Sequence, residues 1–266
     1  MADLSTYTKH RITIDGETKN VFRKGTGPCV VVISEIPGIT PLVLAFADRV
    51  VERGMSVSLP QLFGTPGKSP SMPYALRSMA RACISKEFTI LATGKASPVT
   101  VWLRGLAAIE HERCGGPGVG AVGMCLTGGF ALAMMVDDVV VAPVLSQPSL
   151  PAASGRKSKE RGADLGVSAS DLVTIKKRVA DGACVMGLRF TGDKMVPAAR
   201  FESLRRELGE GFIGVELDSS EGNPFGHPTA AHSVLTEHLN PEEGSPTRAA
   251  LDQVLDFFQD RLNVAR

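Results

Sequence analysis

Val119-Gly120-Ala121-Val122-Gly123-Met124-Cys125-Leu126-Thr127-Gly128-Gly129-Phe130 is the stretch on which the reading of this chain turns. Val119 to Met124 is an apolar run of strand length, and Phe130 to Met135 continues at helical spacing. Between them a strand must turn abruptly into a helix around Cys125. Such a turn needs small neighbours, because larger ones would collide, and Gly123, Thr127, Gly128 and Gly129 supply them. At the head of a helix a cysteine meets free backbone N–H groups and the positive end of the macrodipole, which stabilise a thiolate.

Outward from that turn, strands and helices alternate. Arg11 to Ile14 and Asn20 to Arg23 flank the turn signal Asp15-Gly16 and read as an N-terminal hairpin. Cys29-Val30-Val31-Val32-Ile33, bounded by Gly27-Pro28 and Pro37-Gly38, has the continuous apolar character of a strand covered on both faces. Pro41 to Arg53 carries Leu42, Phe46 and Val50 at helical spacing and stops at Gly54, before a strand over Met55 to Leu59. Thr100 to Arg113 is the next helix, with Trp102, Leu106 and Ile109 on one face. Past the turn, Val139 to Leu145, Ala183 to Phe190 and Phe212 to Leu217 read as strands, and Pro197 to Leu208 and Thr247 to Leu262 as helices. The alternation predicts an α/β chain: a mostly parallel sheet, helices on both faces, and a ligand crevice at the carboxyl ends of the strands. Phe63 to Met72 and Ala152 to Ser170 read as loops, the second a cap or a connector, with composition favouring the connector. One domain over residues 1–266 is the expectation for this length.

Lys plus Arg number 29 against 28 Asp plus Glu, so the formal net charge of +1 advertises no face for nucleic acid or anionic lipid. Met1 to Ile12 mixes charged and polar residues, unlike a secretory signal, and every apolar run falls far short of the roughly 20 residues that span a bilayer. Cys29, Cys83, Cys114, Cys125 and Cys184 are odd in number with no C-x-x-C pair, which suggests neither a disulfide framework nor a zinc site. Cys29 and Cys184, within apolar runs, read as small buried hydrophobes. A cytoplasmic protein, without a metal, is expected.

A nucleophilic cysteine needs a base and an acid that orients it, and after a strand-turn-helix nucleophile these follow in the order acid, then histidine. Asp193, in Thr191-Gly192-Asp193-Lys194, stands just past the Ala183 to Phe190 strand. His227 and His232 follow the Phe212 to Leu217 strand and by position alone are nearly equal; His238 lies further on. Four segments together, Ile33-Ser34-Glu35-Ile36-Pro37-Gly38, the Gly123 to Gly129 turn, Thr191-Gly192-Asp193 and Ala231-His232-Ser233, match a known pattern in order and spacing. Over most of its length the chain resembles the dienelactone hydrolase family, whose members have the α/β-hydrolase fold.

The resemblance implies that Cys125 is the nucleophile, Asp193 the orienting acid and His232 the base, since Ser233 follows it as in the family's His-Ser pattern; His227 becomes the runner-up. It implies that Glu35 contacts the resting thiol and helps switch it to thiolate as substrate enters. The N–H groups of Ile36 and Leu126 would form the oxyanion hole. The reaction implied is thiolate attack on an ester or lactone, an acyl-thioester on Cys125, and release by water activated through His232, with no cofactor. The arginine that better-known members carry shortly after the histidine is missing from Ser233-Val234-Leu235-Thr236. His227, Arg77 and Arg81 are then the candidate substrate contacts, and dienelactone is one candidate among several esters and lactones. The competing reading is a non-hydrolytic sensor that uses Cys125 as a reactive thiol.

Overall fold

The apolar runs of the sequence become the middle of one sheet. A computed structural model describes residues 3–84, 97–150 and 162–265, the side chains of 81–84 excepted. Its strands are β1 (Thr8–Ile14), β2 (Glu17–Lys24), β3 (Cys29–Ile33), β4 (Ser56–Pro60), β5 (Val119–Met124), β6 (Val140–Ser146), β7 (Val185–Phe190) and β8 (Phe212–Leu217). They lie in the order β1-β2-β4-β3-β5-β6-β7-β8. The β1-β2 hairpin and the β2-β4 pair are antiparallel, and every pairing from β4 to β8 is parallel. Every residue of β3, β4 and β5 is buried; β3 and β5 accordingly lack polar alternation, β4 buries Ser56 and Ser58 between its apolar residues, and β1 alternates as a strand with one wet face.

Helices α1 (Pro41–Glu52), α2 (Met72–Ile84), α3 (Pro98–Cys114), α4 (Gly128–Met134), α5 (Ala169–Ala180), α6 (Ala198–Leu208) and α7 (Pro246–Leu262) cover the sheet. Side chains alternate across a strand, so β3 feeds two cores. Val30 and Val32 pack with Phe46 and Val50 of α1 and Val254 and Phe258 of α7. Cys29, Val31 and Ile33 pack on the other face with Trp102, Leu103 and Leu106 of α3 and Phe130 of α4. The starts of α1 and α3 are fixed alike: the hydroxyls of Thr40 and Ser97 accept the N–H groups of Val43 and Thr100, and a proline follows each cap. Among the described residues no helix is long and apolar enough to cross a membrane.

Two features depart from the sequence reading. Helix α5 is absent from the sequence reading: Leu172, Ile175 and Val179 share its inner face, Ile175 fully buried, and Asp171, Lys176, Lys177 and Arg178 surround them. Of the stretch Ala152 to Ser170, residues 152–161 lie outside the described residues; its far end is ordered by the Ser168 hydroxyl, which caps α5 by accepting from the Asp171 N–H at 3.0 Å.

Helix α5 matters to the turn at Cys125 through Arg178. All seven residues of α4 are buried, so the carbonyls at its end need partners inside the protein. Arg178 Nη1 donates to the carbonyl oxygens of Met135, Asp137 (2.7 Å) and Val140 (3.0 Å). Arg178→Leu strands these acceptors, and an expected loss of about 1–3 kcal/mol or more in chemical denaturation checks the assignment.

Candidate active site

The strand-turn-helix is built by close backbone approach. Cys125 has φ 57°, in the left-handed region that non-glycine residues avoid. A Cβ on Gly123 would come 2.1 Å from the Thr127 carbonyl oxygen, and one on Gly128 would come 2.6 Å from Pro148 Cα. Both glycines are required by contact. Thr127 stands where the commoner pattern has glycine, and its hydroxyl earns that place by accepting the Met124 N–H (2.8 Å) while facing the carbonyl oxygens of Met124 (2.8 Å) and Ile33 (2.9 Å). It thereby ties the end of β3 to the end of β5.

Asp193 follows β7 in a loop pressed against the segment before His232. A Cβ on Gly192 would lie 2.5 Å from the Thr229 carbonyl oxygen, and the Gly192 N–H donates to Ser219 Oγ at 2.9 Å. Asp193 is buried; Oδ1 accepts the Met195 N–H (2.9 Å), and Oδ2 pairs with His232 Nδ1 at 2.6 Å. The other imidazole nitrogen, Nε2, is buried without a hydrogen-bond partner among the described residues. Burial works to lower the His232 pKa, but the hydrogen bond with Asp193 and the influence of the neighbouring Cys125 thiol outweigh it and raise it to about 10. Cys125, Asp193 and His232 are therefore brought together, and the imidazole and thiol sense each other.

The thiol has a second neighbour that sequence reading did not single out. Ser149 Oγ lies 3.2 Å from Cys125 Sγ, and the Ser149 N–H donates to the Cys125 carbonyl at 3.0 Å. Ser149 belongs to the segment just past β6, where the rule of strand carboxyl ends would have drawn attention to it. Buried Arg200 secures this segment by donating to the carbonyls of Pro148 (2.7 Å), Asp164 (2.8 Å) and Met195 (3.4 Å). Burial pulls its pKa down to about 10.

Among the described residues the hydrogen bonds of Glu35 run to groups other than the thiol. Its carboxylate is buried and accepts from Ser233 Oγ (2.7 Å), Gln147 Nε2 (3.1 Å) and Thr236 Oγ1. Gln147 in turn accepts the Val234 N–H at 3.2 Å. A buried carboxylate takes whatever donors surround it, and here they anchor the backbone that carries His232. His238 adds to this support, its Nδ1 accepting the N–H groups of Ser233 (3.2 Å) and His232 (3.4 Å). Burial holds its pKa below the ordinary value, as an acceptor nitrogen requires.

The remaining candidates separate clearly. His227 Nδ1 pairs with the Asp218 carbonyl at 2.8 Å, and its ring stands edge-on to Phe190, a packed arrangement away from the Asp193 carboxylate. Arg77 is exposed on α2, and the side chain of Arg81 lies outside the described residues. Ile33 is in register with Gly123, so Ile36 and Leu126 each stand three residues beyond one rung of the sheet, past the ends of two adjacent strands.

The eight-stranded, mostly parallel sheet with its strand-turn-helix cysteine is the α/β-hydrolase fold. Residues 17–262 match the dienelactone hydrolase family, and the chain belongs to that family. No curated protein matches it at the sequence level. Among solved structures it is similar to a candidate dienelactone hydrolase of Klebsiella pneumoniae at 16% identity and TM-score 0.62, covering 95% of this chain and 97% of that one. A dienelactone hydrolase of Anabaena variabilis superposes at 13% identity and TM-score 0.60 over 97% and 99% of the two chains. A dienelactone hydrolase-like promiscuous phosphotriesterase from metagenomic libraries does so at 16% identity and TM-score 0.59 over 96% and 98%.

Two measurements probe this geometry. Thr127→Val leaves the Met124 N–H buried without its acceptor and should cost about 1–3 kcal/mol in chemical denaturation, while Thr127→Ser keeps most of that stability. The raised His232 pKa means that the folded chain binds the proton more tightly. The stability it contributes is fully present below the ordinary histidine value of 6.5 and is lost as the pH rises through about 10. The stability advantage of the native chain over Asp193→Asn should therefore be largest near pH 6 and shrink steadily towards pH 10 in paired denaturation curves.

Proposed function

We propose that this protein hydrolyses carboxylic esters or lactones through Cys125, His232 and Asp193. One observation carries the reading: a buried imidazole held by Asp193 at 2.6 Å, with its second nitrogen unpartnered and the thiol of a left-handed turn cysteine acting on it. Cys125 passes its proton to His232 and attacks the carbonyl carbon as thiolate, and the developing oxyanion is met by the N–H groups of Ile36 and Leu126. Imidazolium gives its proton to the leaving alkoxide, so the carbon–oxygen bond breaks and an acyl-thioester remains. Water, deprotonated by His232, then attacks the thioester, and the carboxylic acid leaves as the thiol reforms. Asp193 holds the tautomer and orientation of His232 throughout.

Glu35 enters this scheme as a positioning residue, since its donors Ser233 and Thr236 flank the segment that bears the base. The hydroxyl beside the resting thiol is that of Ser149. Without an arginine shortly after His232, dienelactone is one substrate among several, and small uncharged esters and lactones suit the site equally. A thiol nucleophile works only while reduced, which supports a cytoplasmic setting.

The test is turnover on a panel of short activated esters and unsaturated lactones. Cys125→Ala should abolish it with the fold retained by circular dichroism, and His232→Ala should lower it by about 10²–10⁴-fold. His227→Ala should act mainly on KM. Undiminished turnover by Cys125→Ala sinks the proposal, and rapid alkylation of Cys125 with no turnover on any ester moves the protein to thiol sensing.

A further inference from the structure

A second thiol cluster sits at the other end of β3. Cys29, the first residue of that strand, is fully buried, and Cys114 is the half-buried last residue of α3. The two sulfurs and a carboxylate oxygen of Glu110 lie within 4.8 Å of one another. Glu110, one turn before Cys114 on the same helix, is fully buried. Cys29 Sγ points to its Oε2 at 3.9 Å, and Ser56 Oγ lies 3.1 Å from Cys114 Sγ. Cys29 and Ile33 are separated by roughly 13 Å at about 3.3 Å per strand residue, so this cluster faces away from the crevice that holds Cys125.

Such a trio invites comparison with a metal site, but its charges oppose one. Both carboxylate oxygens of Glu110 are already engaged: Oε1 accepts from Arg23 Nε (2.7 Å) and Ser58 Oγ (3.0 Å), and Oε2 from Arg113 Nε (2.7 Å). A cation would have to enter beside two guanidinium groups and take an oxygen from one of them. The same guanidinium of Arg113 favours an anion at the neighbouring sulfur.

We propose that Cys29 and Cys114 are a redox-active thiol pair, closed to a disulfide by hydrogen peroxide. The two thiols are poised unequally. The Cys114 thiol is lowered to about 6, chiefly by its pairing with the Cys29 thiol and further by Ser56 and Arg113, against the opposing effects of burial and of the Glu110 carboxylate. Burial, with Cys114 and Glu110 beside it, pushes the Cys29 thiol well up. Cys114 is thus the thiolate that attacks and Cys29 the protonated partner that resolves. The Cys114 thiolate attacks one peroxide oxygen and the O–O bond breaks, giving Cys114 sulfenic acid and hydroxide, which takes a proton from solvent. Cys29 sulfur then attacks the Cys114 sulfur and expels hydroxide, which takes the Cys29 proton and leaves as water. Two thiols lose two electrons in all, and the peroxide is reduced to two waters. The product ties the start of β3 to the end of α3.

The test is peptide mapping under non-reducing conditions after graded hydrogen peroxide, on the native chain and on Cys125→Ala, which removes the other reactive thiol. The expected result in both is a joined pair of Cys29 and Cys114 peptides, lighter by two hydrogens than their sum and separated by dithiothreitol. In Cys114→Ser the joined pair is lost and Cys29 stays alkylatable after denaturation; in Cys29→Ala, Cys114 sulfenic acid is trapped by dimedone. Cys114 found overoxidised while Cys29 stays a free thiol overturns the pairing. So do two fully alkylatable thiols after peroxide, or stoichiometric zinc that stays with the native protein through gel filtration and shields both sulfurs.

Discussion

Gly123 and the Thr127 carbonyl are pressed so closely together that a single methyl group could not stand between them. This contact fixes where β5 ends and α4 begins, and it forces the residue at the apex into the left-handed region. A backbone strain of about 1–3 kcal/mol is retained there because the surroundings over-determine it. The Thr127 hydroxyl ties the turn to β3, Ser149 returns along it from β6, and Pro148 packs against Gly128. Arg200 then links that β6 segment to the loop bearing Asp193. The candidate site is therefore assembled by neighbouring strand ends that brace one another.

Two buried glutamates among the described residues, Glu35 and Glu110, show how differently one fold can accommodate the same carboxylate. Glu110 lies between two arginines, and ionic pairing offsets the cost of taking its charge out of water. Glu35 has hydroxyls and an amide around it instead, and these neutral donors come from segments far apart in the chain. Glu110 serves as a fixed counterion between helix and sheet. Glu35 serves as a fastener for the segment holding His232, because losing the carboxylate would leave Ser233, Thr236 and Gln147 without a common acceptor.

Much of this was legible in the sequence, and for identifiable reasons. Strands buried on both faces announce themselves as apolar runs, so β3 and β5 were readable within a residue; Pro41 marked the start of α1, and α3 was found from its apolar face, two residues short of its Ser97-Pro98 start. Helix α5 was missed although Leu172, Ile175 and Val179 stand at helical spacing, because that stripe is short and set among Asp171, Lys176, Lys177 and Arg178. The position of Asp193 could be inferred from the strand before it. His227 and His232 could not be separated by position, since the difference lies in which ring reaches the Asp193 carboxylate and which is held by the Asp218 carbonyl. The partners of Glu35 were illegible for a similar reason: Ser233 is 198 residues away, and no local pattern encodes that meeting.

The turn at Cys125 is made almost wholly of main chain and small neighbours. Among the described residues its sulfur meets the Ser149 hydroxyl and lies close to the imidazole, two groups that an oxygen atom could also address. Architecture and reactivity are thus separable variables here. The scaffold constrains the apex to a position and a direction of approach, while the element placed there is left to chemistry, so the same frame can be retuned from thiol to alcohol without redrawing the fold.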